Sequence, residues 1–475
     1  MQELLMRHKH PRSRGSRGKK SKRVTPALLK RIQPNAAGID CGSEHHYVAV
    51  PSDRDPEPVR SFKTFTAHLH RLADWLQSLG IKTVAMESTG VYWIPIYEIL
   101  EERGFEVVLV NARHIKNVPG RKSDVLDCQW IQELHSVGLL RGSFRPAAEI
   151  ATLRAYLRHR EKLIQAASSH TQRMQKALIQ MNLLLHNVVS DITGVTGMRI
   201  LRDIVAGITD PNALAAHRDY RCRASHEEIA ASLTGNYRAE HLFVLRQNLE
   251  LYDTFQRQIQ VCDGEIEALL QTLAAKQDVP AEQPPSARSN TKPRDNEPRF
   301  EIRTLLYRLS GTDLTQINTI GPYTALRLIA EVGTDMSRWR TEKHFTSWLT
   351  LAPNNKVSGR RLLSSKTQPS ANRAAAILRM CDMVAGRTST ALGAYYRRIA
   401  YRIGKPKAIT ATARKIAVLV YRVLKGDLDY RDPGADSYEA HHRTRTLKNL
   451  RKRVRQLGFD LIDRETGELL QGAVS

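Results

Sequence analysis

From residue 36 onwards, short apolar runs alternate with turn residues. Residues 36–50 read as strand, turn and strand, and a further apolar and polar alternation over 59–65 predicts a third strand. Apolar residues at helical spacing then predict a helix over 67–79, closed by Gly80. The pattern therefore begins with an antiparallel meander followed by a helix.

The next segments alternate between strand and helix patterns. An apolar strand over 82–86 ends at Glu87, a helix is predicted over 94–103, a strand over 106–110, and another helix begins near Asp124. A meander followed by such alternation is typical of an RNase H-like (RuvC-like) α/β domain. We assign this domain to residues 35–146.

Residues 147–277 carry mainly helical patterns. Their best-defined helix has apolar residues at alternating spacings of three and four, which is typical of a coiled-coil seam. The seam consists of Tyr252, Phe255, Ile259, Cys262, Ile266, Leu269 and Leu273. It can pair two subunits or close within one chain, and the pattern alone leaves both open.

The remaining segments differ in composition. Residues 278–298 are rich in Pro, Ser and charge and predict a linker or exposed loop. Residues 299–432 predict a mostly helical C-terminal domain. Residues 1–34 are expected to be a disordered basic arm, and 433–475 a basic tail. The fold class is thus α/β plus α.

Lysine and arginine outnumber aspartate and glutamate in the chain as a whole. The formal net charge is +25 and the pI about 10.0; residues 1–34 contribute +10 and residues 443–455 contribute +7, which leaves +8 for the body. Because the body as well as the ends is basic, a nucleic acid is the expected partner.

Cysteine usage and hydropathy restrict the compartment. The five cysteines are scattered without a Cys-x-x-Cys spacing, which argues against a disulfide framework or a zinc site. The basic N-terminal segment lacks a following apolar region, and no run of about 18 apolar residues occurs. We expect a cytoplasmic protein that is neither secreted nor membrane-spanning.

Four acids stand where strands or helices meet loops. Asp40 lies in the first strand, Glu87 ends a later strand, and Asp124 and Asp127 share one helix face, with Ser123 as the expected N-cap. Hard divalent ions prefer such oxygen ligands, so the set predicts a site for Mg²⁺ or Mn²⁺. Singly, each acid is also explained by a turn, a surface charge or a favourable helix dipole.

Five short segments together resemble DEDD-type insertion-sequence transposases, the bridge-RNA-guided recombinases, and in particular their subgroup with larger transposases. The segments are Gly38-Ile39-Asp40, Met86-Glu87-Ser88-Thr89-Gly90-Val91-Tyr92, Arg121-Lys122-Ser123-Asp124-Val125-Leu126-Asp127, Ile320-Gly321-Pro322-Tyr323-Thr324-Ala325 and Ser358-Gly359. Their order and spacing are specific, and the resemblance covers nearly the full chain.

The resemblance implies roles for particular residues. Asp40, Glu87, Asp124 and Asp127 would be the catalytic, metal-binding acids of a Holliday-junction-resolvase-like domain. Ser358 would be a nucleophile that forms a covalent serine–DNA intermediate, although a Ser-Gly beside two arginines is by itself more often an ordinary turn. A serine hydroxyl needs a base or a metal for activation. A structured RNA from the element's non-coding end would choose the target, and the protein would be bacterial and nucleoid-associated.

A departure from the family pattern concerns the turn before residue 322. It resembles a helix-hairpin-helix turn, but Thr319 stands where many relatives carry glycine. Backbone amides at such a helix start can hold a phosphate. A purely structural turn is an equal alternative.

Cationic residues in the C-terminal domain form the predicted nucleic-acid surface. Arg360 and Arg361 follow Ser358, and further cations are interleaved with Tyr395, Tyr396 and Tyr401. The predicted contacts in this second group are Arg397, Arg398, Lys405, Lys407 and Lys415. A solvated helix face is the alternative interpretation.

The leading hypothesis is a transposase that excises and inserts its element by metal-assisted, serine-mediated strand exchange on donor and target DNA. One rival is a metal-dependent junction endonuclease in which Ser358 is structural; another is a nucleic-acid-binding protein without catalysis. Strand exchange needs at least two active sites. We therefore expect a homodimer that assembles into a tetramer on DNA.

Overall fold

A mixed five-stranded sheet forms the centre of the first unit in the computed structural model, which describes residues 30–88, 90–111, 124–277, 283–287, 294–462 and 467. The chain divides into two compact units, Met1–Arg145 and Pro146–Ser475. The elements of the first unit are β1 (Ala36–Cys41), β2 (His45–Ala49), β3 (Val59–Lys63), α1 (Thr66–Ser78), β4 (Thr83–Glu87), α2 (Trp93–Glu102), β5 (Glu106–Val110) and α3 (Asp124–Ser136).

The strand order of this sheet is β3-β2-β1-β4-β5. β1, β2 and β3 are antiparallel, and β4 and β5 continue the sheet in parallel with β1. This is the RNase H-like arrangement that the sequence predicts, so the predicted fold class is confirmed for this part of the chain. A mostly helical region follows it, also as predicted.

Side-chain alternation along the central strands builds two different faces. Ile39 and Met86 belong to the main core, which α1 and α2 complete. Ala85 packs with Val110 and with Ile131 of α3 on the opposite face. Because successive strand residues point to opposite faces, Asp40 and Glu87 belong to the α3 face.

Two long helices dominate the first half of the second unit. They are α4 (Ala148–Gln180) and α9 (Ala239–Ala275), and they run antiparallel, since Glu149 lies near Lys276 and His170 near Asn248. Between them in the chain stand four short helices: α5 (Leu185–Val188), α6 (Val195–Ala206), α7 (Pro211–Ala215) and α8 (His226–Ser232). These pack with the helix ends around a separate core.

The predicted seam packs against α4 of the same chain. Ile259, Cys262 and Ile266 are buried, and Cys262 Sγ donates to the Tyr156 carbonyl oxygen at 3.5 Å. The buried set continues through Leu270 as well as Leu273, whereas Leu269 is only half-buried. Of the two uses left open by the pattern, closure within one chain is the one observed.

Short elements complete the second unit. They are α10 (Ile302–Ser310), a 3₁₀ turn (Leu314–Gln316), α11 (Pro322–Val332), α12 (Glu342–Trp348), β6 (Lys356–Ser358), β7 (Arg361–Ser364), α13 (Arg373–Ala385), α14 (Ala391–Ile403), α15 (Lys405–Leu424) and α16 (Ala435–Gln456). α11 is tied to α4, where Arg158 pairs with Glu331 at 2.8 Å. The predicted middle region and C-terminal domain therefore pack together within one unit.

Two segments have contacts or secondary structure that their composition did not predict. The described parts of the predicted linker contact the body, because Arg160 donates to the Asn296 carbonyl at 2.9 Å and Gln316 to that of Ser286 at 3.2 Å. The predicted basic tail contains a 22-residue helix, α16. Composition alone predicts neither the hydrogen bonds of the first segment nor the helix of the second. Within the described chain, no helix has the length and apolarity needed to cross a membrane.

Candidate functional site

Asp40 and Glu87 lie side by side at the ends of adjacent parallel strands. The β1–β4 register pairs Ile39 with Met86, and each acid is the next residue along its strand. Both belong to the α3 face, Glu87 is buried, and Asp40 is half-buried. A carboxylate pair at the carboxyl ends of parallel strands is thus built by the sheet itself.

α3 packs very closely against β1, the strand that carries Asp40. A Cβ on Gly38 would lie 2.6 Å from the Cys128 carbonyl oxygen and would also collide with the Gln132 backbone nitrogen. Only glycine allows the helix backbone to rest directly on β1 at this point. Asp124 and Asp127 occupy the first turn of the same helix, where the helix dipole favours negative charge.

Buried polar contacts hold α3 in this position. Gln132 Nε2 donates to the Ala36 carbonyl at 3.3 Å, and His135 Nε2 lies 2.9 Å from Thr83 Oγ1. The sequence interpretation assigned no role to Gly38, Gln132 or His135. A glycine inside a buried strand was the available signal, since it marks close approach of another backbone.

The electrostatic field of the acids reaches two buried thiols. Burial, together with the charges of Asp40 and Glu87, raises the pKa of Cys41 far above its ordinary value. Burial, with Asp40 and then Asp127 as charge contributors, raises the pKa of Cys128 to about 12. The thiols therefore stay protonated, and Asp40 contributes to the raised pKa of both, with Glu87 at Cys41 and Asp127 at Cys128.

The donor chemistry of these residues suits a hard divalent cation, since carboxylate oxygens are the preferred ligands of Mg²⁺ and Mn²⁺. Asp40, Glu87, Asp124 and Asp127 are the residues that would hold it. Within the described ranges, no three or more His, Cys, Asp or Glu side chains are gathered tightly enough to hold a metal. The expected N-cap Ser123, with Arg121 and Lys122, lies outside the described residues.

Ser358 lies in a β-hairpin rather than in an irregular loop. It ends β6, is exposed, and pairs with Arg361 of β7 across a two-residue turn. Gly359 and Arg360 form this turn with φ of +52° and +62°, the backbone signs of a type I′ turn. The tight turn presents Ser358 to solvent.

The two neighbouring arginines have different environments. Directly paired residues share a face of a hairpin, so Arg361 projects on the same side as Ser358. The Val357–Leu362 pair projects on the opposite side and is exposed. Arg360 lies in the turn itself. Of the two, Arg361 is therefore the one whose side chain shares a face with Ser358.

In the turn before α11, Thr319 has a backbone conformation that normally favours glycine. Thr319 has φ of +81°, which a β-branched residue rarely adopts. Gly321 precedes the helix and Pro322 is its first residue. The backbone expected for a helix-hairpin-helix turn is therefore present at Thr319, under strain.

The predicted cationic surface on α14 and α15 has two kinds of member. Arg397 donates to the carbonyls of Gly386 at 3.2 Å and Thr388 at 2.8 Å, and Arg398 lies over the Tyr438 ring at 5.1 Å. These two arginines are engaged within the protein. Arg398 is half-buried, whereas Arg397 is exposed, as are Lys405 and Lys407 in the first turn of α15 and Lys415 farther along it.

Comparison with known protein families gives two matches. A family model of DEDD transposases, described as "Transposase", matches residues 37–183, and one described as "Transposase IS116/IS110/IS902 family" matches residues 311–397. The first match contains all four acids, and the second contains Thr319, the hairpin and α13. Comparison with curated proteins gives no match.

Proposed function

The chain belongs to the IS110 family of transposases, which cleave and rejoin DNA, and on that premise we propose that it excises and inserts its element by metal-assisted, serine-mediated strand exchange. The proposal assigns Asp40, Glu87, Asp124 and Asp127 to one metal-binding site. It assigns the nucleophile to Ser358.

The observation that supports the metal site most directly is the shared face of Asp40 and Glu87. Both acids follow the Ile39–Met86 pair on parallel strands, and the helix that packs on Gly38 begins with the other two acids. A bound Mg²⁺ or Mn²⁺ would neutralise developing charge on the phosphate and activate an oxygen nucleophile. The four carboxylates would hold this cation and fix its position.

The exposure of Ser358 supports the serine role; the activation of its hydroxyl is a separate matter. Ser358 is exposed beside a tight turn, and the Arg361 side chain shares its face. In the proposed step the serine oxygen bonds to phosphorus, its proton passes to a base, and a DNA oxygen leaves. Arg361 binds the phosphate, since a guanidinium matches its oxygen geometry.

Partners follow from the same proposal. Donor and target DNA meet the cationic residues of the second unit, and a structured guide RNA from the element selects the target by base pairing. Strand exchange requires several active sites, so a homodimer assembles into a tetramer on DNA. Because the α9 seam packs against α4, other surfaces join the subunits.

A covalent-adduct assay tests the proposal. The protein is incubated with Mg²⁺, its candidate RNA and labelled junction DNA, and protein–DNA adducts that resist denaturant are measured. We expect an adduct in the wild type, none in Ser358→Ala, and none in Asp40→Asn or Asp124→Asn. Ser364→Ala, on the same hairpin, is the matched control and should retain the adduct.

The rival junction endonuclease gives a different result. DNA cleavage without an adduct, retained in Ser358→Ala but lost in Asp40→Asn, would refute the serine step and leave metal-dependent hydrolysis. Cleavage and adduct both retained in Asp40→Asn would refute the proposed metal site.

A further inference from the structure

α16 is a long exposed helix that contributes nothing to a core. Over residues 435–456 no side chain is buried. Its N-terminal part is attached to α14, where the Tyr438 ring packs edge-on against that of Tyr395 at 6.3 Å and Arg398 lies over Tyr438. The C-terminal half therefore projects a surface that the fold itself does not require.

Five cations of this half lie along one side of the helix. At 3.6 residues per turn they fall within an arc of about 120° and extend over roughly 15 Å of helix axis. They are Arg445, Lys448, Arg451, Lys452 and Arg455, which we call the cationic stripe. All are exposed except Arg451, which is half-buried.

The stripe is electrostatically unfavourable without a partner. Lys448 and Lys452, like Arg451 and Arg455, are like charges four residues apart, a spacing that destabilises a helix. Within the described residues, Arg455 of the stripe forms an ion pair with Asp460 at 3.7 Å, and both side chains are well exposed. A polyanion laid along the stripe would remove this repulsion.

The shape of α16 favours duplex DNA over other polyanions. A helix with its side chains is about 10–12 Å across, and the major groove of B-DNA is about 12 Å wide. The major groove of A-form RNA is too narrow and deep for such entry. We propose that the cationic stripe of α16 docks duplex DNA, contacting phosphates along the groove.

The proposal uses DNA as the substrate class of the family and does not depend on the serine or metal steps. A catalytically dead Ser358 variant should therefore bind through α16 as the wild type does. Failure of the adduct assay and failure of the docking proposal are distinguishable for this reason. Cationic side chains bind backbone phosphates and carry no sequence information, so a duplex of arbitrary sequence suffices as a probe.

A matched pair of double variants tests the docking surface in the full-length protein. Lys448→Gln with Arg455→Gln removes two stripe cations, whereas Arg443→Gln with Arg453→Gln removes two cations from other sides of the same helix. Affinity for a duplex of about 30 base pairs should fall roughly tenfold in the stripe variant, and the slope of log K against log salt should decrease by about 1.8. The off-stripe variant should change much less.

Protection from amide hydrogen exchange gives a second readout. On addition of the duplex, exchange over residues 443–456 should slow in the wild type and in the off-stripe variant. Equal weakening of both variants would mean general electrostatic attraction and would overturn docking, as would no effect in either. Loss of duplex RNA binding alone would assign the stripe to RNA.

An apolar stripe on another side of α16 suggests the competing occupant, a second copy of the chain. Leu447, Leu450, Val454 and Leu457 recur at heptad spacing, and the three leucines are exposed. If the helix instead pairs subunits, Leu450→Gln should reduce self-association in sedimentation while the stripe variant leaves DNA affinity intact. That outcome would overturn the proposal.

Discussion

Two single residues show how a backbone requirement is met in different ways. At Gly38 the requirement is space, because α3 occupies the volume where any Cβ would lie. At Thr319 the requirement is a left-handed φ of +81°, and the chain meets it with a β-branched residue. The Thr319 hydroxyl oxygen is also enclosed without a hydrogen-bond partner in the described part of the chain.

Replacement of this threonine should stabilise the protein. Thr319→Gly removes left-handed strain of about 1–3 kcal/mol, and the added freedom of the unfolded chain offsets about 0.4–1 kcal/mol of that gain. We expect a net increase of about 1 kcal/mol in the free energy of unfolding of the second unit, measured in urea. Thr324→Gly, within α11, is the control and should destabilise; a loss of stability in Thr319→Gly would contradict the strain argument.

At the scale of elements, the long helix pair is held by apolar packing with a few buried polar contacts. His170 stacks on Phe255 with ring centroids 5.4 Å apart, and its Nδ1 lies 2.9 Å from Asn248 Oδ1. Arg160, which is fully buried, forms an ion pair with Asp263. Such contacts fix the register of α4 against α9 because a slipped register would leave buried polar groups unpaired.

The intrachain seam makes a clear prediction for Ile266, which is fully buried. Ile266→Ala should lower the free energy of unfolding by about 2–5 kcal/mol through lost contacts and a cavity. Sedimentation of the folded protein should show unchanged subunit association. Val261→Ala, at a site 62% exposed on the same helix, should change stability by no more than about 0.5 kcal/mol.

The opposite result for Ile266→Ala would place the seam between subunits. If Ile266→Ala dissociated a dimer without lowering the stability of α9, the helix would have to exchange its intrachain contact for one between subunits.

At the scale of the whole molecule, the first unit carries a built-in sensitivity to acid. Burial lowers the pKa of both His46 and His135 to about 4, from an ordinary value of 6.5. Between these values the unfolded chain binds protons that the folded unit excludes. Stability is therefore complete above pH 6.5 and declines as the pH falls towards 4.

The expected loss is measurable at pH 5. Each histidine should lower the free energy of unfolding by about 2 kcal/mol relative to pH 7. Native-state amide exchange in β1 and β4 reports this free energy for the first unit. His46→Leu, which cannot titrate, should lose about half of the pH dependence; an unchanged dependence would show that His46 is not buried as a neutral ring.

Much of this protein follows from local sequence. The apolar alternation predicted the strands, the spacing of apolar residues predicted the helices, and ordered motifs led to the transposase family, because period and side-chain type are local properties. Charge counting identified the basic C-terminal segment but not α16. The roles of the four acids and Ser358 remain proposals.

Only the tertiary structure decided the contacts made over long separations in the chain. Ile39 and Met86 become neighbours through strand pairing, which sets Asp40 beside Glu87 on the face that α3 covers. The seam of α9 had an apolar face that fitted either a subunit or its own chain, and α4 covers it. Apolar packing is non-directional, so a sequence specifies that a face is buried, whereas the folded chain determines what buries it.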